Sequence, residues 1–243
     1  MILIPAIDLK DGQCVRLLRG DYATAHQVAD DPAAAAYTFR AEGAEWLHVV
    51  DLDGAKAARP ENEENIFRIR AAFGRDVEVG GGIRNLETIE RYLQHGISRV
   101  VLGTAALQNP EFVQKAVQQY GGRIAVGIDA KKGMAAQEGW EHISSITYLE
   151  MAKKMEQIGV KYLIFTDISR DGTLSGPNLN MLDALNNAVS CKIIASGGIS
   201  SLKDMSDLLD LGVYGAICGK ALYSGDLSLQ EGLALCAKGN NHD

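Results

Sequence analysis

The sequence predicts an α/β chain folded as a (βα)8 TIM barrel built from two duplicated (βα)4 half-barrels. Three observations carry that expectation. Short β-rich runs alternate with amphipathic helical segments eight times within 243 residues, a length that suits one large α/β barrel. Most of the strand runs are continuously apolar, as expected of parallel strands covered on both faces. The motifs at the strand ends also recur in the same order at nearly constant spacing. Ala6-Ile7-Asp8-Leu9-Lys10-Asp11-Gly12 matches Gly127-Ile128-Asp129-Ala130-Lys131-Lys132-Gly133. Val79-Gly80-Gly81-Gly82-Ile83-Arg84 matches Ala195-Ser196-Gly197-Gly198-Ile199-Ser200, and Leu102-Gly103-Thr104 matches Cys218-Gly219-Lys220. A doubly wound sheet would usually need fewer strands and a GxGxxG turn after the first, which is absent. The repeat implies a single domain over 1–243, with half-barrels at about 1–120 and 121–237 and a polar C-terminal tail at 238–243.

The predicted strands are Ile2–Asp8, Glu45–Asp51, Asp76–Val79, Arg99–Leu102, Arg123–Asp129, Lys161–Asp167, Lys192–Ser196 and Tyr214–Cys218. Helical signals separate them. Asn85 caps a segment with Leu86, Ile89 and Leu93 on one face, and Gly96 stops it. Asn109-Pro110 opens the next helix, where proline at the first position loses no hydrogen bond, and Gly121 ends it. Ser201 caps another, with Leu202, Met205, Leu208 and Leu209 expected inside and Gly212 closing it.

Composition narrows the function. The chain has 24 Lys+Arg against 31 Asp+Glu, a net charge of −7, which argues against a general nucleic-acid binder. It leaves room for a small anionic ligand, because a site can be locally positive on an acidic protein. A hydrophobic fraction of 47% excludes a disordered chain, and no apolar run approaches the roughly 18–20 residues of a membrane span. The N-terminus lacks the basic flank of a secretory signal. Cys14, Cys191, Cys218 and Cys236 form no CxxC pair and read as buried reduced thiols of a cytoplasmic protein. The five histidines are scattered without ligand spacing, so no metal site is expected.

The repeated motifs fall at strand ends, the face on which such barrels keep their chemistry. Glycines at 80–82 and Gly103-Thr104 let backbone amides and a hydroxyl approach an anion, with Arg84 near enough to neutralise charge. Gly197-Gly198 and Gly219-Lys220 form a second such cradle. One Gly-Gly at a strand end reads as a turn; two pairs related by the repeat predict two phosphate sites and an elongated bisphosphate ligand. Asp8 and Asp129 end the first and fifth strands. Either alone is better explained by an N-cap or a salt bridge to Lys10 or Lys131, but the symmetric pair suits a general base and a general acid.

The loop after strand 6, Thr166 to Asn178, can carry Asp171 over the site as a mobile acid and bring Gly176 near the second phosphate; Asp171-Gly172 is equally a turn signal. Asp51 and Asp53 after strand 2 are either structural or ligand-binding. Loop 1 carries Arg16, Arg19, Tyr22 and His26, and an arginine there can close over a phosphate. Loop 5 carries Gly139-Trp140, whose indole offers a stacking surface for a flat heterocycle. Ordinary loop packing explains both equally, and His26 reads as solvated.

Together, the segments Ile4–Gly12, Arg19–Tyr22, His48–Lys56, Gly80–Arg84 and Thr166–Leu174 resemble the HisA family, the phosphoribosylformimino-aminoimidazole carboxamide ribotide (ProFAR) isomerases of histidine biosynthesis. The resemblance runs from Met1 to about Ala237. It implies an Amadori rearrangement of a bisphosphorylated aminoaldose to an aminoketose, without cofactor or metal, in a protein taken to be a monomer. It implies Asp8 as the base that removes the C2′ proton, Asp129 as the proton donor that opens the ring, and Asp171 as the rival donor. Thr166 would support catalysis, and Trp140 would stack on the carboxamide heterocycle. The cyclase subunit of imidazole glycerol phosphate synthase shares both half-barrels and both aspartates, but the Val15–Tyr22 loop and Trp140 favour the isomerase. A dual-substrate relative that also acts on phosphoribosyl anthranilate differs mainly in its loops.

Overall fold

The computed structural model describes residues 1–137, 140 and 142–239; Gly139 of loop 5 and residues 240–243 of the predicted tail lie outside them. Eight parallel strands close a barrel: β1 (Ile2–Lys10), β2 (Trp46–Asp51), β3 (Asp76–Gly80), β4 (Arg99–Leu102), β5 (Ile124–Lys131), β6 (Tyr162–Asp167), β7 (Lys192–Ser196) and β8 (Gly215–Cys218). Each lies within two residues of its expected ends. β1 pairs in parallel with both β2 and β8, which completes the cylinder. The outer layer is α1 (Pro32–Ala41), α2 (Glu63–Phe73), α3 (Leu86–Gln94), α4 (Pro110–Tyr120), α5 (Tyr148–Ile158), α6 (Leu179–Ala188), α7 (Leu202–Asp210) and α8 (Leu229–Gly239).

Local chemistry sets these boundaries. Asn85 and Asn109 accept from Thr88 and Phe112, capping α3 and α4, while Thr147–Glu150 and Ser201–Asp204 form capping boxes at α5 and α7. Met205 and Leu208 of α7 are buried as expected, but Leu202 is 39% exposed. It is the first residue of the helix, beyond the reach of the packed face, and Leu209 is only half-buried. All four cysteines are buried free thiols. No helix among the described residues is long and apolar enough to cross a membrane.

Two expected loops are instead antiparallel hairpins. Gln13–Leu18 pairs with β1 and with Asp21–Ala29, and Met134–Gln137 pairs with β5 and with His142–Thr147. The buried run Cys14–Leu17 inside the first hairpin is the signal that the surrounding charges obscured. Short helices Leu52–Ala57, Thr104–Gln108 and Lys220–Ser224 also follow β2, β4 and β8.

Inward side chains alternate along each strand. Ile4, Ala6, Val101, Ala125, Ile164, Ile194 and Ile217 fill the barrel interior, and the larger apolar shell lies between strands and helices. Lower in the barrel, the Arg99 guanidinium sits 4.3 Å from the rings of both Trp46 and Tyr162 and 2.6 Å from Glu78. Glu78 also bonds His48 Nδ1 at 2.7 Å. Burial opposes the charge on Glu78, but the His48 hydrogen bond and the Arg99 charge outweigh it and hold the carboxyl below its ordinary range. This polar stack supports the floor of the site above it.

Candidate active site

A cavity of about 240 Å³ opens at the C-terminal ends of the strands. Period-two alternation carries Asp8 of β1, Asp129 of β5 and Thr166 of β6 into it, and the loop after β6 adds Asp171. Three carboxylates therefore share one mouth.

Their environments differ. Arg16 Nη1 donates to Asp8 Oδ2 at 2.7 Å. Burial raises Asp129 above the ordinary carboxylate range, opposed by hydrogen bonds from the Trp140 indole and the Thr166 hydroxyl. Asp171 is pushed up to about 7, chiefly by burial and then by the neighbouring Asp8 charge, with Arg16 opposing and Asp129 adding to the rise. A carboxyl group that titrates near neutrality can hand over a proton at physiological pH.

Two backbone cradles flank the carboxylates. Gly82 after β3 and Gly198 after β7 have φ of 71° and 83°, a region that favours glycine. A methyl on Gly198 would lie 2.4 Å from the Gly176 carbonyl, and one on Gly82 2.5 Å from the Arg59 carbonyl. Both turns are therefore closed to side chains, and Gly82, Gly197 and Gly198 line the cavity. Gly103 and Gly219 precede the short helices after β4 and β8 in nearly the same conformation, with φ/ψ of −96°/−97° and −115°/−95°. Thr104, Arg84 and Lys220 bring a hydroxyl and two cations to the cavity. The arrangement offers two anion-binding ends with acid–base groups between them.

The loops meet over the mouth. The Arg19 amide donates to the Asp171 carbonyl at 3.1 Å, and Lys220 Nζ donates to the Gly172 carbonyl at 3.0 Å. The Trp140 ring lies where a side chain on Gly20 would otherwise stand. Tyr22 reaches from the first hairpin to the Leu52 carbonyl at 2.9 Å.

Among the expected site residues, Gly176 and Arg19 do not line the cavity. Gly176 instead supports Gly198, whose carbonyl accepts its amide at 2.9 Å. Trp140 lines the cavity, with its indole N–H on Asp129. Asp51 proves structural: it is fully buried, and its two oxygens accept from Gly54, Glu61 and Asn62. Asp53 likewise holds the Asp11 amide and Asn62. His26 is exposed. Arg16, expected on loop 1 as an arginine able to close over a phosphate, lines the cavity but bonds Asp8. His48 lines it without an expected role, although the period-two pattern of β2 from Trp46 to Val50 points it inward. No cluster of three or more potential metal ligands occurs among the described residues.

Comparison with known proteins agrees with this geometry. Residues 2–228 match the protein family described as "Histidine biosynthesis protein". A Clostridium botulinum protein is 50% identical over 241 residues, covering 99% of this chain and all of its own. A Listeria welshimeri protein is 53% identical over 231 residues, 95% of this chain and 96% of its own, and a Listeria monocytogenes protein is 52% identical over the same span. All three are named 1-(5-phosphoribosyl)-5-((5-phosphoribosylamino)methylideneamino) imidazole-4-carboxamide isomerase. With nearly the whole barrel matched, the chain belongs to the histidine biosynthesis protein family.

Proposed function

We propose that this protein is the isomerase of histidine biosynthesis that converts ProFAR to its ribulosyl isomer by general acid–base catalysis. The observation that carries the reading is the convergence of Asp8, Asp129 and Asp171 between two glycine cradles in one cavity. An aminoaldose with a phosphate at each end spans such a site, one phosphate at Gly82, Arg84, Gly103 and Thr104, the other at Gly197, Gly198, Gly219 and Lys220. The full-length similarity to proteins named for this substrate supports the same reading.

The chemistry divides between the carboxyl groups. A carboxylic acid protonates the ring oxygen of the aminoaldose ribose, the ring C–O bond breaks, and the nitrogen lone pair forms the C1′ iminium. Asp8 then removes the C2′ proton; the C–H electrons become the C1′–C2′ double bond and neutralise the iminium. Tautomerisation of this enolamine gives the aminoketose. Burial raises both rival acids, Asp171 to about 7; hydrogen bonds from Trp140 and Thr166 oppose the rise at Asp129, and Asp171 is taken as the acid. Asp129 then orients Trp140 and Thr166 around the opened sugar. In this reading the enzyme acts as a monomer, and the four free thiols support a cytoplasmic location.

An absorbance or coupled assay of ProFAR conversion, run beside phosphoribosyl anthranilate, tests the function. Turnover of ProFAR is expected; its absence with pure folded protein refutes the assignment. Turnover of phosphoribosyl anthranilate as well would make the enzyme dual-substrate.

A further inference from the structure

Arg16 comes from the strand Gln13–Leu18 of the first hairpin, not from the barrel, and it is 8% exposed. Its Nη1 donates to Asp8 Oδ2 at 2.7 Å and its Nη2 to the Ala6 carbonyl at 2.8 Å. The Tyr223 ring packs 5.3 Å from the guanidinium carbon, and the Tyr223 hydroxyl reaches the same Ala6 carbonyl at 3.1 Å. A methyl on Gly219 would lie 2.1 Å from Nη2. The guanidinium therefore occupies the space that any side chain at that cradle position would need.

This is more than an ion pair that stabilises a loop. One anchor is the carboxylate of Asp8 and the other is the β1 backbone two residues earlier, so the planar fork fixes the side chain relative to its own strand. Arg16 Nε is buried with no acceptor, a cost that packing alone does not explain. The fold tolerates it while keeping the guanidinium between the carboxylate and the cradle.

We propose that Arg16 is a positioning residue for Asp8, holding the carboxylate in one orientation and registering it against the phosphate cradle at Gly219. The proposal rests on the reading of Asp8 as the base. Proton abstraction needs the base aligned on the C–H bond, and a displacement of about 1 Å is enough to cost about 100-fold in rate. Lysine, with a single ammonium, cannot grip both oxygens in a fixed plane.

The test compares wild type, Arg16→Gln and Arg16→Lys with ProFAR as substrate, after melting curves show each variant folded. Arg16→Gln should lose about 100-fold in kcat with KM near wild type, and Arg16→Lys should fall between the two. Unchanged kcat overturns the proposal, as does a raised KM at full kcat, which would make Arg16 a phosphate ligand. Should Arg16→Gln fail to fold, a lower kcat at unchanged KM in Arg16→Lys carries the same test. Substrate-free crystal structures read the contact without turnover: a rotated Asp8 carboxylate is expected in the variants, and an unmoved one refutes the role. Inactive wild type would refute the proposed function, and those structures would then decide alone whether Arg16 orients Asp8.

Discussion

Thr166 and Asp129 are register partners on the adjacent strands β6 and β5, and the Thr166 hydroxyl donates to the Asp129 carboxylate. The bond favours the ionised carboxylate against burial, which pushes the other way. Thr166→Val keeps the shape and removes the donor. One hydrogen bond to a charged group is worth roughly 1.5–3 kcal/mol, so kcat should fall by roughly 10- to 100-fold. Steady-state kinetics checks this, and a kcat equal to wild type would separate Thr166 from catalysis.

Asp8→Asn retains the volume of the side chain and removes its capacity to accept a proton. Turnover should drop by about 10²- to 10⁴-fold, the usual contribution of a positioned base. Affinity for the substrate, measured by calorimetry on the inactive variant, should stay near normal, because the substitution removes only proton transfer. Full activity would exclude Asp8 as the base.

Asp171 gives a pH signature. With the folded group raised to about 7, its acid form is lost above neutrality and kcat/KM should decline there. The unfolded group titrates at about 3.9, so the folded chain holds the extra proton between the two values. Its contribution to stability is therefore complete below about pH 4 and is lost as pH rises to about 7. Asp171→Asn should lower kcat more than Asp129→Asn does. It should also melt about 2–4 °C above wild type at pH 8, an increment kept small by solvent screening at the cavity mouth. Identical melting points at pH 5 and pH 8 for both proteins would contradict the raised value.

Much of this site was legible because barrel topology turns sequence order into position. Asp8, Asp129 and the glycine pairs stand at strand ends, and the closed cylinder brings those ends together. The hairpins were less legible: a charged, Gly-flanked segment resembles a loop until the burial of Cys14 to Leu17 is seen. The contact between Arg16 and Asp8 depends on the register of that hairpin against β1, which periodicity does not encode. Gly176 and Gly198 show the reverse limit. Both looked like phosphate glycines, yet Gly176 supports the turn and only Gly198 lines the cavity.

Lys220 opens the short helix after β8 and donates to the Gly172 carbonyl. It thus joins a cation at the second cradle to the loop that carries Asp171. Lys220→Ala should mainly raise KM, through loss of ground-state binding to phosphate, with a smaller fall in kcat as the loop loses its tether. Raised salt should weaken binding less in the variant than in wild type, because a charge contact has been removed. Unchanged KM would exclude Lys220 from the phosphate site.

Glu78 tests the support beneath the site. It is fully buried and joins the His48 imidazole, which lines the cavity, to the Arg99 guanidinium held between Trp46 and Tyr162. Glu78→Gln preserves the shape but strands the Arg99 charge in the barrel interior, where breaking a buried pair costs about 3–5 kcal/mol. At 2–4 °C per kcal/mol for a chain of this size, the melting temperature should fall by roughly 6–20 °C. Adding Arg99→Met removes the stranded charge and should restore part of that loss, because an uncharged pair has no desolvation to offset. A double variant less stable than Glu78→Gln alone would mean that packing of Arg99 between the two rings, and not its pairing with Glu78, holds the barrel floor.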